Sequence, residues 1–331
     1  MTIMEQAPLK AFGQEYVLTK KDYKPYLKRS NKHGLIRFGV HMGLIAVAAG
    51  LVSVTLGTWW IVPVMAVYAI LLAFLFAPVH ECSHGTTFRN RRLNEVIFWI
   101  VCLIYMVPPT FFRYAHATHH TYTQIRGWDP DMLPERMTAS AYIKFVLGFT
   151  FWQRNIKWFL FHPFGKIDPT QRYFLPQSEI PRVVREARII FMIYAGIAGV
   201  SIVFNPWIPL IYWVIPRLVG EPFMRWMRIS EHGECEENGD LRENTRTTYT
   251  SGIIRYLFWE MPYHAEHHLC PMVPFHALGR LHEKFGHKLH AVGDGYMSIN
   301  KDVYVKAKQK QGVTWDNPTS SVHQPVSQEF S

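Results

Sequence analysis

The stretch Met261-Pro262-Tyr263-His264-Ala265-Glu266-His267-His268 decides how the rest of the chain is read. His264, His267 and His268 stand at i, i+3 and i+4, the spacing that puts side chains on one face of a helix. Pro262 has a preset φ and no N–H to lose, so it suits the first turn of such a helix. One helix therefore aims three imidazoles at one point. The same spacing recurs in His116-Ala117-Thr118-His119-His120, and His80 and His84 form an i, i+4 pair in His80-Glu81-Cys82-Ser83-His84. Of the 17 histidines, eight fall in these three clusters. A lone histidine is ordinarily a satisfied polar residue. Eight of them crowded at ligand spacing would repel one another if protonated and gain little by packing, so they read as a metal site.

At 331 residues, 49% hydrophobic and 15% aromatic, the chain is long enough to bury a large core. Its mean hydropathy of -0.02 averages over apolar runs that alternate with polar, histidine-rich blocks. That alternation predicts a membrane-embedded part capped by a polar part. The net charge of +10 comes without the basic-aromatic stripe of a nucleic-acid binder, which favours lipid headgroups and an acidic redox partner. Cys82, Cys102, Cys235 and Cys270 are dispersed, with no C-x-x-C pair, and indicate neither a disulfide framework nor a zinc ribbon.

Residues 1–37 are polar and basic, with Lys20, Lys21, Lys24, Lys28, Arg29, Lys32 and Arg37 and no cleavable signal pattern, so this end is expected in the cytoplasm. Apolar runs from Phe38 to Leu56 and from Trp59 to Val79 each approach the length of a membrane span and read as a tight hairpin turning at Gly57-Thr58. His41, inside the first run, reads as a polar residue bonded between helices. The run Val96 to Phe112 carries Pro108-Pro109, and crossing the membrane there would part the first two histidine clusters; it is expected to be re-entrant or interfacial. Residues 141–161 mix aromatics with Lys144, Arg154 and Lys157, as in a helix lying in the headgroup plane. A second hairpin, Ile189 to Ile215, turns at Asn205-Pro206 and returns the chain to the cytoplasmic side, continuing as a polar extension to Glu231. The expected fold is thus an all-α integral membrane protein: four transmembrane helices in two hairpins, interfacial helices and a cytosolic histidine-rich cap. It divides into an N-terminal cytosolic segment (1–37), a membrane domain (38–290) and a polar C-terminal tail (291–331) whose residues 312–331 have a disordered composition.

One zinc ion or a blue-copper site would leave half of these imidazoles idle, whereas two ions share them; imidazole suits iron, and a pair of Fe(2+) ions with open positions activates dioxygen. Two rival readings stand beside this one. His80-Glu81-Cys82-Ser83-His84 is an H-E-x-x-H pattern, the signature of a zinc protease, here at the end of a membrane helix. A metal carrier or sensor is the non-enzymatic alternative.

The three clusters match, in order and spacing, the three histidine boxes of the membrane fatty acid desaturase superfamily, which includes hydroxylases and carotenoid ketolases. The flanks resemble it too: Arg91-Arg92-Leu93-Asn94 after the first box, Trp128-Asp129-Pro130-Asp131 after the second, and Leu269 with Pro271 and Pro274 around the third. The resemblance covers roughly residues 38–290. It implies four membrane helices under a cytosolic cap and two Fe(2+) ions per chain held by His80, His84, His116, His119, His120, His264, His267 and His268. A ninth histidine often precedes the third box, and His232 in Glu231-His232-Gly233-Glu234 matches it. Some relatives place asparagine four residues before that histidine; here the position is Arg228, which puts a water-bridging asparagine in doubt. Asn244-Thr245-Arg246-Thr247-Thr248 resembles a bacterial subgroup and is expected to fix the third box by hydrogen bonds.

No catalytic residue beyond the metal ligands is singled out. Asp129 and Asp131 are candidates to accept the second N–H of a ligand imidazole or to cap a turn, Glu81 and Glu266 to support ligands or to be solvated. His276, His282, His287 and His290 read as surface residues of an amphipathic helix. The expected activity is oxygen-dependent desaturation of a lipid acyl chain, with hydroxylation of a lipid, carotenoid or small amphiphilic metabolite as the alternative. Electrons are expected from a separate ferredoxin or a cytochrome-type donor with its reductase. The expected place is a bacterial inner membrane rather than the endoplasmic reticulum, with the site and both termini cytoplasmic.

Overall fold

The computed structural model describes residues 18–134 and 137–309. The first long helix, α1 (Asn31–Thr55), begins seven residues before the apolar run, because Ser30 caps it by accepting from the His33 N–H. After the turn at Gly57, whose φ is +79°, α2 (Ile61–Phe74) and α3 (Phe76–Ser83) form a nearly continuous apolar rod that ends on the first histidine cluster. Asn90 caps α4 (Arg91–Tyr105) by accepting from the N–H groups of Arg92 and Leu93. Pro109 then opens α5 (Pro109–Thr121), bent 94° from α4, so the chain turns at Pro108-Pro109 instead of continuing straight. Residues 141–161 are not one helix. The left-handed Gly148 divides them into α6 (Ala139–Val146) and α7 (Phe149–Phe161).

Among the described residues, three helical segments are long and apolar enough to cross a membrane: Asn31–Thr55, Ile61–Ser83 and Gln177–Phe204, the last carrying α8 (Ile180–Phe204). Only 11% of the apolar window of Gln177–Phe204 is buried in the protein, and Ile202, Val203 and Phe204 are wholly apolar yet exposed, as lipid-facing side chains are. The chain turns at Asn205 and Pro206, passes a wide π turn at Leu210–Val214 and enters α9 (Ile215–His232). α9 does not itself qualify as a span because it is amphipathic and charged, but it packs closely along α2. A Cβ at Gly220 would collide with the Ala69 carbonyl, so only glycine lets the two backbones approach this far.

The fold is mostly helical rather than all-α. Thr247–Tyr249 (β1) pairs in parallel with Val292–Asp294 (β2), Thr248 opposite Gly293. Between them lie α10 (Gly252–Leu257), α11 (His264–Leu269) and α12 (Phe275–Phe285). Pro262 sits ahead of α11, not in its first turn; its carbonyl instead accepts from the Thr248 N–H at 2.9 Å, tying β1 to the third box. Residues 292–309 of the segment expected as a tail form β2 and α13 (Tyr296–Gln309), and Asn300 of α13 donates to the Trp226 carbonyl and the Ser230 hydroxyl of α9. Residues 312–331 lie outside the described residues.

Large side chains fully buried beneath the histidines, among them Phe88, Phe98, Phe111, Phe258, Trp259 and Met261, form the core on which the site rests. His41 ties this core to the first hairpin: its Nε2–H donates to the Leu71 carbonyl at 2.9 Å, and its Nδ1 accepts from the Trp259 indole at 3.2 Å. Trp259 and Glu260 both hold positive φ, 51° and 59°. Arg37 anchors the same strained turn through the Tyr256 carbonyl at 2.6 Å and Glu260 at 3.3 Å.

Candidate metal centre

α3, α5, α9 and α11 end or begin at one place, and they bring all nine candidate histidines together. The nine separate into two groups, His80, His84, His116, His120 and His267 in one, and His119, His232, His264 and His268 in the other; within each, one nitrogen per residue lies within 4.8 Å of every other. The i, i+3, i+4 spacing does not deliver each cluster whole to one point. His119 leaves His116 and His120 for the second group, and His267 leaves its helix neighbours for the first, so two short helices each serve both groups.

The Nε2 atoms crowd together within each group. Nε2 of His84 is 2.9 Å from that of His116 and 3.1 Å from that of His267, and His267 Nε2 is 3.2 Å from that of His120. In the other group, His264 Nε2 is 3.1 Å from both His232 Nε2 and His268 Nε2. Ligands ~2.1 Å from a common ion and at right angles to each other stand ~3.0 Å apart. The observed spacing fits that arrangement.

The opposite ring nitrogens are held so that Nε2 is left as a lone pair. His80 Nδ1–H donates to Glu81 at 3.2 Å, His119 Nδ1–H to Asp129 at 2.8 Å, His232 Nδ1–H to the Asn244 carbonyl at 3.1 Å and His268 Nδ1–H to the Thr123 hydroxyl at 3.0 Å. Thr123 can accept because its own O–H is given to the His119 carbonyl. His80 Nε2 and His119 Nε2 are buried with no hydrogen-bond partner in the protein. A buried acceptor left unsatisfied costs ~1–3 kcal/mol, and two of them aimed into two nitrogen clusters are what a metal ion would satisfy. Burial also pushes the imidazoles of His264, His267 and His268 well below the ordinary value, and that of His84 down to about 3. They are neutral at pH 7, as ligands must be.

Glu81, the acid of the H-E-x-x-H pattern, meets the Nδ1 side of His80, away from the Nε2 that faces the cluster. It is placed to orient the His80 ring. Asp131 does not touch a histidine: it pairs with Arg228, which also binds Glu231 at 2.7 Å. Burial by itself would raise the Asp131 carboxyl, but Arg228, with His119 and Arg154, outweighs it and holds the group at about 2. Arg228, occupying the position of the doubtful asparagine, therefore ties the second box to α9. Glu266 accepts from Thr247 at 2.5 Å and contacts His282. His282 is thus a support of the third box rather than a surface residue, while His276 stacks on His33. Thr123 and His282 carry no spacing signal of their own; only their three-dimensional neighbours reveal them.

A polar, histidine-lined centre mounted on lipid-facing helices is the arrangement of a candidate metal site in a membrane protein. The fatty acid desaturase family model matches residues 57–300, and the chain belongs to that family. It is 24% identical over 260 residues to the sn-1 oleoyl-lipid 12-desaturase of Arthrospira platensis, covering 72% of each chain. It is 25% identical over 304 residues to the endoplasmic reticulum acyl-lipid omega-3 desaturase (cytochrome b5) of Arabidopsis thaliana, covering 79% of this chain and 77% of the relative. To the chloroplastic sn-2 acyl-lipid omega-3 desaturase (ferredoxin) of Helianthus annuus it is 24% identical over 323 residues, covering 84% and 69%.

Proposed function

We propose that the nine histidines hold two Fe(2+) ions, five imidazoles around one and four around the other, and that the protein desaturates an acyl chain with dioxygen and externally supplied electrons. The observation that carries this reading is the convergence of nine imidazole nitrogens into two groups of ligand spacing, with the far nitrogens of four rings already bonded. The chemistry such ions supply when bound is reductive activation of dioxygen, strong enough to take hydrogen from an unactivated C–H bond. In the balanced reaction two hydrogens leave the chain and dioxygen becomes two waters, with two electrons and two protons from a donor.

The protein's own part is to hold and to exclude. Glu81, Asp129, Thr123 and the Asn244 carbonyl fix ring orientation and keep each Nε2 unprotonated. The aromatic floor beneath the cluster, Phe76 and Phe112 against His80 and His116, keeps water from the apolar chain. In this proposal α1, the α2–α3 rod, α8 and the segment through α9 are four spans, α4 and α5 fold back without crossing, and the centre and both termini face the cytoplasm of a bacterium. The relatives named for cytochrome b5 and for ferredoxin support a separate electron donor of one of those kinds.

Expression in a bacterium followed by lipid profiling by mass spectrometry tests the reaction. Products lighter by two hydrogens support desaturation; products heavier by one oxygen with no new alkene overturn it in favour of hydroxylation.

A further inference from the structure

The last turn of α7 and the loop after it enclose a cavity of about 230 Å³, apart from the nine clustered histidines. α7 supplies Lys157, Trp158 and Phe161 to its wall, and the loop supplies Lys166, Ile167 and Asp168. Gly165, at φ +74°, folds the loop back, and the Lys166 N–H then donates to the Phe161 carbonyl at 3.2 Å. Lys157 is bonded to Asp168 at 2.8 Å. Among the described residues no carboxylate engages Lys166, whose ammonium stands 5.7 Å from the centre of the Phe161 ring. His162, pushed down to about 4 by burial, adds no charge at pH 7. The cleft therefore keeps one uncompensated cation. Its surroundings agree: from Arg154 to Arg188 the chain carries seven Lys or Arg against three acids. Two of those acids are already engaged, Asp168 by Lys157 and Thr170, Glu186 by Thr110 and Arg182. The complement of this cleft is an anion.

The depth of the cleft says where that anion comes from. Arg188 Nε–H donates to the Pro163 carbonyl at 2.7 Å and fixes the loop to α8. Arg188 is also the last charged residue of α8, with no Asp, Glu, Lys or Arg after it until Arg217. Just beyond that point Phe164 and Phe159 meet Phe191, at 5.9 and 5.4 Å. Leu160, Phe161 and Phe164 are exposed and wholly apolar. α7 thus lies with its apolar side toward acyl chains and its lysines level with the headgroups, where basic residues attract anionic lipid. The cavity is smaller than the ~300–1,000 Å³ that encloses a whole ligand, so it takes a headgroup whose tails stay in the bilayer.

We propose that this cleft seats the phosphate of one anionic phospholipid from the surrounding leaflet, paired with Lys166 and Lys157 and resting on Trp158 and Phe161. An ammonium has three N–H donors, so Lys157 serves Asp168 and the phosphate together. The floor of the cleft leads to the second histidine box. Trp158 and His162 stand 4.9 and 5.0 Å from the Phe111 ring, and Phe111 lies on α5 ahead of His116. A seated lipid adds to the packing behind that helix. The assignment is independent of what the histidine centre oxidises.

The test is native mass spectrometry of the full-length protein released from phosphatidylcholine nanodiscs that contain increasing phosphatidylglycerol. The wild type is expected to keep a single phosphatidylglycerol per chain in preference to phosphatidylcholine, with an affinity read from the titration. Lys166 is exposed, so its variants should fold. Lys166→Gln should weaken retention about fivefold, as loss of one basic residue at an anionic surface does, and Lys166→Glu further. Lys301→Gln, at an exposed position on α13 outside the cleft, should change nothing. Equal retention of the two lipids by the wild type, or retention unchanged in Lys166→Glu, overturns the proposal. So does an equal loss in Lys301→Gln, which would mean general attraction to a basic protein. Soluble glycerol 3-phosphate, added to discs of phosphatidylcholine alone, should not be retained; its retention would overturn the assignment to a lipid.

Discussion

His119 Nδ1 and Asp129 Oδ1 stand 2.8 Å apart, and both side chains are 1% exposed. The two residues come from one short stretch: α5 ends at Thr121, and the loop turns back so that Asp129 also caps the Gln124 and Asp131 N–H groups. One carboxylate thereby shapes the loop and aims the imidazole. Asp129→Asn keeps one oxygen for His119 and the Asp131 N–H, but it turns an NH2 toward the Gln124 N–H and loses the charge that orients His119. Iron affinity should fall ~10–100-fold, read by metal content after dialysis against a graded chelator. An unchanged chelation curve would assign Asp129 to the loop alone.

Thr247 gives Glu266 one of its bonds, and His282 gives the other. Thr247→Val leaves a buried carboxylate oxygen short of a donor, at a cost of ~1–3 kcal/mol. The melting temperature of the variant should drop by several degrees, and His282→Ala should behave likewise. Melting curves that superpose on the wild type would remove Glu266 from the structural support of the third box.

The pH dependence follows from the buried imidazoles. His84, His264, His267 and His268 have folded values depressed by burial, so below the unfolded value of about 6.5 the unfolded chain binds more protons than the folded one. Stability of the metal-free protein is therefore full above about pH 6.5 and lost as the pH falls below it. Thermal melts of chelator-treated protein should show a steep decline from roughly pH 6.5 to 5. A flat profile across that interval would mean the imidazoles are not buried as a group.

Membrane topology gives a fourth expectation. In intact bacteria, a membrane-impermeant thiol reagent should reach a cysteine placed at Asn205 from outside and leave one placed at Arg91 unmodified. Labelling at Arg91 from outside would put the first and third histidine clusters on opposite faces and end the shared-site account. Gly220→Val, whose side chain would strike the Ala69 carbonyl, should part α9 from α2 and abolish accumulation of folded protein.

Much of this was legible in the sequence, for physical reasons that differ by residue. Eight of the nine candidate ligands are visible because imidazoles at helical spacing have few other uses, while His232 shows only through the family resemblance; the long spans are visible because lipid demands continuous apolar length. Division into two groups was not legible: His119 and His267 leave their neighbours because of the helix-to-helix angles, which spacing along one helix does not encode. The β1–β2 pair was missed since three residues are too few to show a period-two pattern.

The most direct test of the central claim is elemental analysis of purified, full-length protein from iron-replete cells, alongside His84→Ala and His268→Ala, one from each group. The account predicts close to two irons per chain in the wild type and about one in each variant, with no stoichiometric zinc. A wild type carrying one zinc, or no bound metal, would contradict it.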